Sequence, residues 1–355
     1  MFQPRAGVAW DVMGTGRSVL RGSVGIYSAR QNMLSQVGSV TTNGVQQQTI
    51  FVNTGLLTAF GAPTPTWPGV LPVSAVPPGQ FPLFSGVRVF HRDYKNPRIY
   101  AYNVAYEQQL MADWAAYADF TWTEGRNLTR FLNYNRTPGT CCNEGPGTGN
   151  TFAYGPGPWD PFLGEVMVAN SFGESRYRAV TIGIRKRFSE GYQLEGNYVL
   201  AKDEDNDSNE RDPFTDRSFN FFDAEKDWGP SDRDIRHKVN LFGYFTLPAG
   251  IRANARVQAR TAQPITPSPR VLNGVDRGRN SERKDNEFFS FDWRLSRAFT
   301  AGGVEIMPII EMFNTFNNAN NINPLSTPAL FDFSGFLRTG VGDPRQAQIA
   351  VKLVF

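Results

Sequence analysis

Apolar and polar residues take turns along this chain with a period of two, in segments of about ten residues. From 251 to 260, Ile251, Ala253, Ala255, Val257 and Ala259 fall on one side of an extended backbone. Arg252, Asn254, Arg256, Gln258 and Arg260 fall on the other. From 192 to 200, Tyr192, Leu194, Tyr198 and Leu200 oppose Gln193, Glu195 and Asn197. From 289 to 299, Phe289, Phe291, Trp293 and Leu295 oppose Ser290, Asp292, Arg294 and Ser296. The pattern predicts about eleven strands, at 4–12, 17–28, 98–110, 114–124, 176–188, 191–201, 235–247, 251–261, 288–299, 303–314 and 345–355.

The connections alternate as strictly as the side chains. Tight turns rich in Gly or Asp are expected at 13–16, 111–113, 189–191, 248–250 and 301–303. Between these hairpins run Gly-, Pro-, Asn- and Asp-rich stretches of about 25 to 70 residues, at 29–97, 125–175, 202–234, 262–287 and 315–344. Soluble domains rarely carry structureless loops of that length. Outer-membrane barrels pair short periplasmic turns with long extracellular loops. The expected fold is therefore all-β, an antiparallel up-and-down transmembrane β-barrel wall. Its last strand descends toward the periplasm with Ala347, Ile349, Val351, Leu353 and Phe355 on one face. That ending resembles the C-terminal signal of outer-membrane proteins that the barrel-assembly machinery reads.

Composition agrees once read for strands. The 355 residues are 40% hydrophobic, 13% aromatic and 19% charged, with 34 Gly and 24 Pro. A mean hydropathy of -0.38 would exclude helical spans, and no run of about twenty apolar residues exists. In a barrel strand the wet face pulls that average down. Aromatics near strand ends (Trp10, Tyr27, Tyr100, Tyr102, Trp114, Trp122, Tyr177, Phe188, Tyr192, Phe245 and Phe299) suggest interfacial belts. The net charge is only +3, with basic residues scattered singly, which gives nucleic-acid binding little support. Met1-Phe2-Gln3-Pro4-Arg5 lacks the features of a secretion signal, so an exported protein would have its true N-terminus upstream.

Five stretches carry a family resemblance. Pro4 to Asp11 followed by Ser18 to Tyr27 resembles the "PRxGxAYD…TVLRGGYGIFY" hairpin of the Oar-like branch of TonB-dependent transporters. Asn96, Pro97, Asn103, Glu107, Gln108 and Trp114 match that family's next hairpin. Ser175-Arg176-Tyr177 with Lys186 to Gly191 is similar to its "YxALxxxLxKRFSxG" element. Ala224 to Lys238 resembles "AExGxSDFDxRHR", and Glu311 to Asn317 resembles "EVFNxFN". The resemblance implies a barrel of twenty-two strands, plugged by an N-terminal domain and energised by the TonB complex through that domain. Residues 1–355 would be the C-terminal portion of the barrel, without the plug. An open half-barrel leaves two unpaired edges in lipid, so the expectation is a fragment of a longer gene product or a sheet closed by other strands; a self-closed eleven-stranded barrel would break the even-number pattern of bacterial barrels.

Catalytic candidates are few. His91 and His237 are the only histidines, no nucleophile elbow accompanies them, and no enzyme activity or cofactor is expected. His237 reads as an interface or loop-base residue. Asp203, Asp205 and Asp207 loosely resemble a calcium loop but lack its Gly and terminal Glu. A solvated acidic extracellular loop, with divalent ions bridging to lipopolysaccharide as a secondary use, is the expectation there. Cys141 and Cys142 admit a vicinal disulfide or pairing with a cysteine elsewhere. The polar strand faces are the best functional surface. Gln193, Glu195, Asn197, Arg252, Asn254, Arg256, Arg260, Asp292 and Arg294 would face a lumen, touching a plug or lining a solute path. The leading functional expectation is a receptor passing a large, unknown solute. A passive porin or adhesin-like barrel and a soluble, secreted carbohydrate-binding β-protein are the other two. Membrane fractionation separates the last from the first two.

Overall fold

The computed structural model describes the chain apart from residues 1, 32, 44–48, 51–53, 60, 62–63, 67, 70–84, 136–164, 209–218, 220–222, 268–269, 274, 284–285 and 321–342. Among the described residues, eleven long strands form one antiparallel meander: β1 (Arg5–Asp11), β2 (Ser18–Ser28), β3 (Arg98–Gln109), β4 (Trp114–Asn133), β5 (Val166–Ser189), β6 (Tyr192–Asp205), β7 (His237–Thr246), β8 (Ile251–Arg260), β9 (Phe288–Arg297), β10 (Val304–Phe313) and β11 (Gln346–Val354). Each pairs with its neighbours in sequence, so sheet order equals chain order. Among the described residues, β1 and β11 each have a partner on one side only. Every strand expected from the alternation is present, and among the described residues no helix is long and apolar enough to cross a membrane.

Antiparallel partners project to the same face, so the register assigns the faces directly. On β4 the first face carries Trp114, Ala116, Ala118, Phe120 and Trp122, a span of nine residues. That is the length of a tilted strand crossing hydrocarbon. The register sets Phe120 against Val180, Val180 against Leu200, and Ile182 against Tyr198. The face continues through Val239, Leu241, Phe289, Leu295 and Ile310 to Ile349, Val351 and Leu353. These side chains are exposed, with Ile182 at 55% and Ile349 at 80%. A soluble protein could not leave so large a contiguous apolar surface in water. Two of the aromatics expected in the belts depart from it. The register puts Tyr27 and Tyr177 on the polar face, opposite Ile99 and Thr123. Tyr27 lies over Gly25, where the missing side chain leaves room for the ring.

The tight turns form where expected. Glu190 and Gly191 both adopt positive φ (50° and 83°), the left-handed pair that matches hairpin twist. Lys186 locks this end of the sheet although its side chain is only 1% exposed. Its ammonium donates to Ser189 O at 3.1 Å and Ser189 Oγ at 2.5 Å, and meets the Asp113 carboxylate at 2.9 Å. It also sits 3.9 Å above the Tyr192 ring. The Lys-Arg-Phe-Ser-x-Gly stretch therefore ties two adjacent turns together.

The opposite end is taller than the alternation predicts. β4 runs on to Asn133 and β5 begins at Val166, in stretches expected to be loop. A bulge between Gly125 and Arg130 hides the extension, because it breaks the two-residue beat. Asn127 takes φ 55° there. A short strand, Ser85–Phe90, pairs in parallel with the start of β5. Phe131, Met167 and Ala169 then form a small dry core beneath Phe90 and Tyr94. The connection 29–97 also holds helices Met33–Thr41 and Thr54–Ala59.

The face assignment has a sharp consequence. Ile182→Arg, aimed at hydrocarbon, should cost about 2–4 kcal/mol, whereas Thr181→Arg on the opposite face should cost under about 1 kcal/mol. Urea-unfolding midpoints in detergent or lipid vesicles measure both. Equal costs would mean the faces are wrongly assigned.

Candidate functional site

On the polar face, pairing gathers residues from distant parts of the chain. Arg252, Asn254 and Arg256 of β8 lie opposite Ser296, Arg294 and Asp292 of β9. The same three face Thr246, Tyr244 and Phe242 of β7. Gln193, Glu195 and Asn197 of β6 continue those rows on the far side of β7, opposite Tyr244, Phe242 and Asn240. All nine lumen candidates thus share one face.

A ladder of hydrogen bonds crosses four strands of this face. Asn240 donates to Asn197 at 2.9 Å, and Gln258 donates to Asn240 at 3.4 Å. Arg256 bonds Gln258 and lies 3.6 Å from Asp292. Asp292 also accepts from Ser290 Oγ at 2.6 Å and from the Asn314 amide at 2.9 Å. Glu195 meets Arg185 at 3.5 Å, and Arg294 meets Glu311 at 3.5 Å. Arg260, at the rim, donates to Asn286 O at 3.4 Å and lies over the Phe288 ring. Arg252, Asn254 and Gln193 are placed by register alone. Arg256 is 57% exposed, and such open ion pairs contribute at most about 1 kcal/mol each. This face is therefore wetted and presents paired donors and acceptors; it is not a polar core.

The acidic stretch departs from expectation. Asp205 is buried and the Asp207 side chain is only 7% exposed, so neither is solvated. Asp205 bonds Arg279, which also donates to Asp227 O at 2.8 Å and to Ser208 Oγ at 3.2 Å. Asp207 lies 3.8 Å from Arg130 of the β4 extension. The cause lies in the arginines that supply the counter-charges, Arg130 from the β4 extension and the others from the connection 262–287. Asp227, 1% exposed, bonds Arg130, receives Arg270 at 3.0 Å and accepts from the Phe219 amide at 3.0 Å. Arg283 bonds Asp234 and donates to Ala262 O at 2.8 Å. Asn280 donates to Pro230 O at 2.8 Å and to Asp232 at 2.7 Å. The two extracellular connections are thus welded to each other and to β4. Among the described residues no three of His, Cys, Asp or Glu are grouped to hold a metal.

Asp203 is the exception in this cluster. Its carboxyl lies above the apolar band, since the neighbouring outer-face positions are Lys202 and Glu204. Burial, then the nearby Asp205, push its pKa to about 6, with Asp234 adding to the rise and Arg233 opposing it. His237 sits at the strand base, with Tyr198 Oη 2.7 Å from its Nδ1. Cys141 and Cys142 lie outside the described residues. Of the expected assembly signal, Ile349, Val351 and Leu353 lie on the apolar face of β11, and Phe355 follows the strand's last residue, exposed.

Sequence reasoning named one half of the rim network and missed the other. Arg130, Arg270, Arg279 and Arg283 lay in stretches read as loop. The signal was the density of Asp in 203–234, which in a folded rim demands cations. On the polar face, Arg185, Asn240 and Glu311 were not among the expected lumen residues although the same alternation contains them.

A sheet with one hydrocarbon-length apolar face, one hydrogen-bonded wet face and alternating short and long connections defines the wall of a transmembrane β-barrel. Over residues 1–266 the chain matches the outer membrane beta barrel domain family, and it belongs to that family. Its location is the outer membrane. No curated protein matches it. Among solved structures it is similar to the outer membrane transporter YddB from Escherichia coli, with a TM-score of 0.62 and 12% identity, over 98% of this chain and 40% of that one. The pyoverdine outer membrane receptor FpvA from Pseudomonas aeruginosa gives a TM-score of 0.54 at 8% identity, over 99% and 36%. The FrpB iron transporter from Neisseria meningitidis gives 0.50 at 11% identity, over 99% and 39%. The chain spans about two-fifths of the length of these proteins.

Two outcomes test the rim. Asp227→Ala should leave Arg130 and Arg270 buried without their shared counter-ion, at a cost of about 3–5 kcal/mol. Hydrogen exchange should speed up in 262–287 while β7 to β9 stay protected. Unchanged exchange would refute the weld. Asp203 has a folded pKa above its unfolded value of 3.8. Its stabilising contribution is therefore full below pH 3.8 and lost as pH rises through about 6. Asp203→Asn should remove that loss, raising stability by roughly 2–3 kcal/mol at pH 8 and leaving it unchanged at pH 3.5. Denaturant midpoints at the two pH values decide it.

Proposed function

We propose that this chain forms part of the wall of an outer-membrane transport receptor, which passes a large solute using energy delivered through TonB. The polar face of β6 to β9 is its lumen lining, and the protein does no covalent chemistry. The observation that carries this reading is the pairing of a wet, arginine-bearing face with an ion-paired extracellular rim on one sheet. A passive channel needs only the first of these, since solute moves through it without being held. A receptor must first capture its solute outside, and a braced rim offers fixed recognition surfaces at low ordering cost.

Similarity in fold to a transporter, an iron transporter and a pyoverdine receptor supports this reading, as does the resemblance of the five motifs to Oar-like transporters. Further strands complete the barrel, because the free edges of β1 and β11 would each expose a row of N–H and C=O groups to lipid. A plug domain docks against Arg252, Arg256 and their neighbours, and TonB acts through it. The solute is too large for free diffusion, which is why energy is needed.

The test uses the full-length protein in planar bilayers and in cells. In KCl it should show no steady open conductance, and site-directed cross-linking should trap it with TonB. A stable open channel together with no TonB adduct would replace this reading with a passive porin.

A further inference from the structure

From the top row of the apolar band upward, beginning at the row of Trp122, the strands of the tall end carry a grid of charges on the same outward face. The register places Tyr102, Trp122, Arg178 and Lys202 side by side in one row. The next row is Tyr100, Glu124, Arg176 and Glu204, and above it Arg98 lies opposite Arg126 with Glu174 nearby. Most of the charges are internally matched. Arg176 meets Glu124 at 3.7 Å, Arg126 meets Glu174 at 2.6 Å and Glu124 at 3.2 Å, and Lys202 meets Glu204 at 2.5 Å.

Two cations are left over. Arg98 and Arg178 are exposed and, among the described residues, have no carboxylate partner. Each stands directly across from another cation: Arg98 from Arg126, and Arg178 from Lys202. Like charges directly opposite on a sheet destabilise it. Arg178 instead rests over the Trp122 ring at 5.4 Å, an aromatic of the kind that sits at headgroup depth. The grid is on the side of the long connections, which is the cell surface. Five cations against three carboxylates leave two positive charges at the level where outer-leaflet phosphates lie.

We propose that this grid binds the phosphates of lipopolysaccharide, one at the Arg178–Lys202 pair and one at the Arg98–Arg126 pair. The two pairs are separated along the strands by four residues, roughly 13 Å at about 3.3 Å per residue. A headgroup with a phosphate at each end spans that distance, and a single-phosphate lipid engages one pair only. Guanidinium groups present the forked donors that phosphate oxygens accept. The inference rests on the outer-membrane location, not on the transport reading. A protein that fails as a transporter could still hold this lipid.

The test measures binding of bisphosphorylated lipid A, dephosphorylated lipid A and phosphatidylglycerol to the full-length protein purified in detergent. Bisphosphorylated lipid A should bind at least about tenfold tighter than either of the other two. Arg178→Glu with Lys202→Glu, and separately Arg98→Glu with Arg126→Glu, should each abolish that preference. Arg178→Lys should retain it, and Lys352→Glu, on the opposite face, should leave it unchanged. Heat-modifiable gel mobility verifies folding, and any reversal that loses it is replaced by the Gln pair at the same positions. Equal binding of the dephosphorylated lipid, equal binding of phosphatidylglycerol, or indifference to both double variants would overturn the proposal.

Discussion

Inside hydrocarbon a backbone amide has no water to turn to, and every other feature of this sheet answers to that. Each N–H and C=O within the band must find its partner on a neighbouring strand. A meander of eleven strands with chain order equal to sheet order achieves this with the shortest connections available on one side. The requirement also dictates where irregularity is tolerated. The register breaks of β4 and β5 fall beyond Gly125 and between Lys186 and Ser189, at the two ends of the band and not within it. A bulge at the depth of Ile182 would leave polar groups unsatisfied in lipid, each costing several kcal/mol.

Once pairing has satisfied the backbone, the side chains are free to alternate, and a strand serves two solvents. The apolar face gains nothing by being large or shape-complementary, because lipid is fluid. The polar face gains from residues that can hydrogen-bond both water and each other. Hence the outward rows are built from interchangeable Val, Ile, Leu, Tyr and Trp. The inward rows carry the Asn197–Asn240–Gln258 ladder and paired Arg and Asp. The small dry core sits outside the membrane zone, at Phe131, Met167 and Ala169, where the chain again meets water and must exclude it by packing.

This division explains how much was legible in the sequence. Strands within the band advertise themselves, since each residue is sorted into oil or water by a period of two. Gly and Asp mark the tight turns for reasons as local. The extracellular rim obeys no such period. The continuation of β4 past Gly125 was lost because one bulge shifts the phase of everything after it. The burial of Asp205 and Asp227 was lost because their partners, Arg279 and Arg270, come from a connection of different sequence position and no regular spacing. Composition alone hinted at them. Ordering such a rim takes contacts between residues 40 or more apart, such as Arg270 with Asp227 at a separation of 43, and no local rule reveals those.

Charge pairs, where a soluble domain would use a hydrophobic core, also suit the rim's position. A thick apolar core standing above the membrane would have to be shielded from lipid headgroups and from the open lumen at once. Buried ion pairs need only their own partners, and they impose direction: Asp227 accepts from Arg130, Arg270 and the Phe219 amide together, so the connections can close in only one arrangement. Replacing such a network with aliphatic residues would cost little stability, and would discard that directional definition. The same chemistry continues outward to the charge grid of Arg98 to Lys202, where the pairing is incomplete. The inner network closes on itself and holds the loops; the outer one leaves two guanidinium groups facing the leaflet. The difference between a closed and an open set of charges is thus the physical difference between the part of this rim that holds shape and the part that meets the membrane.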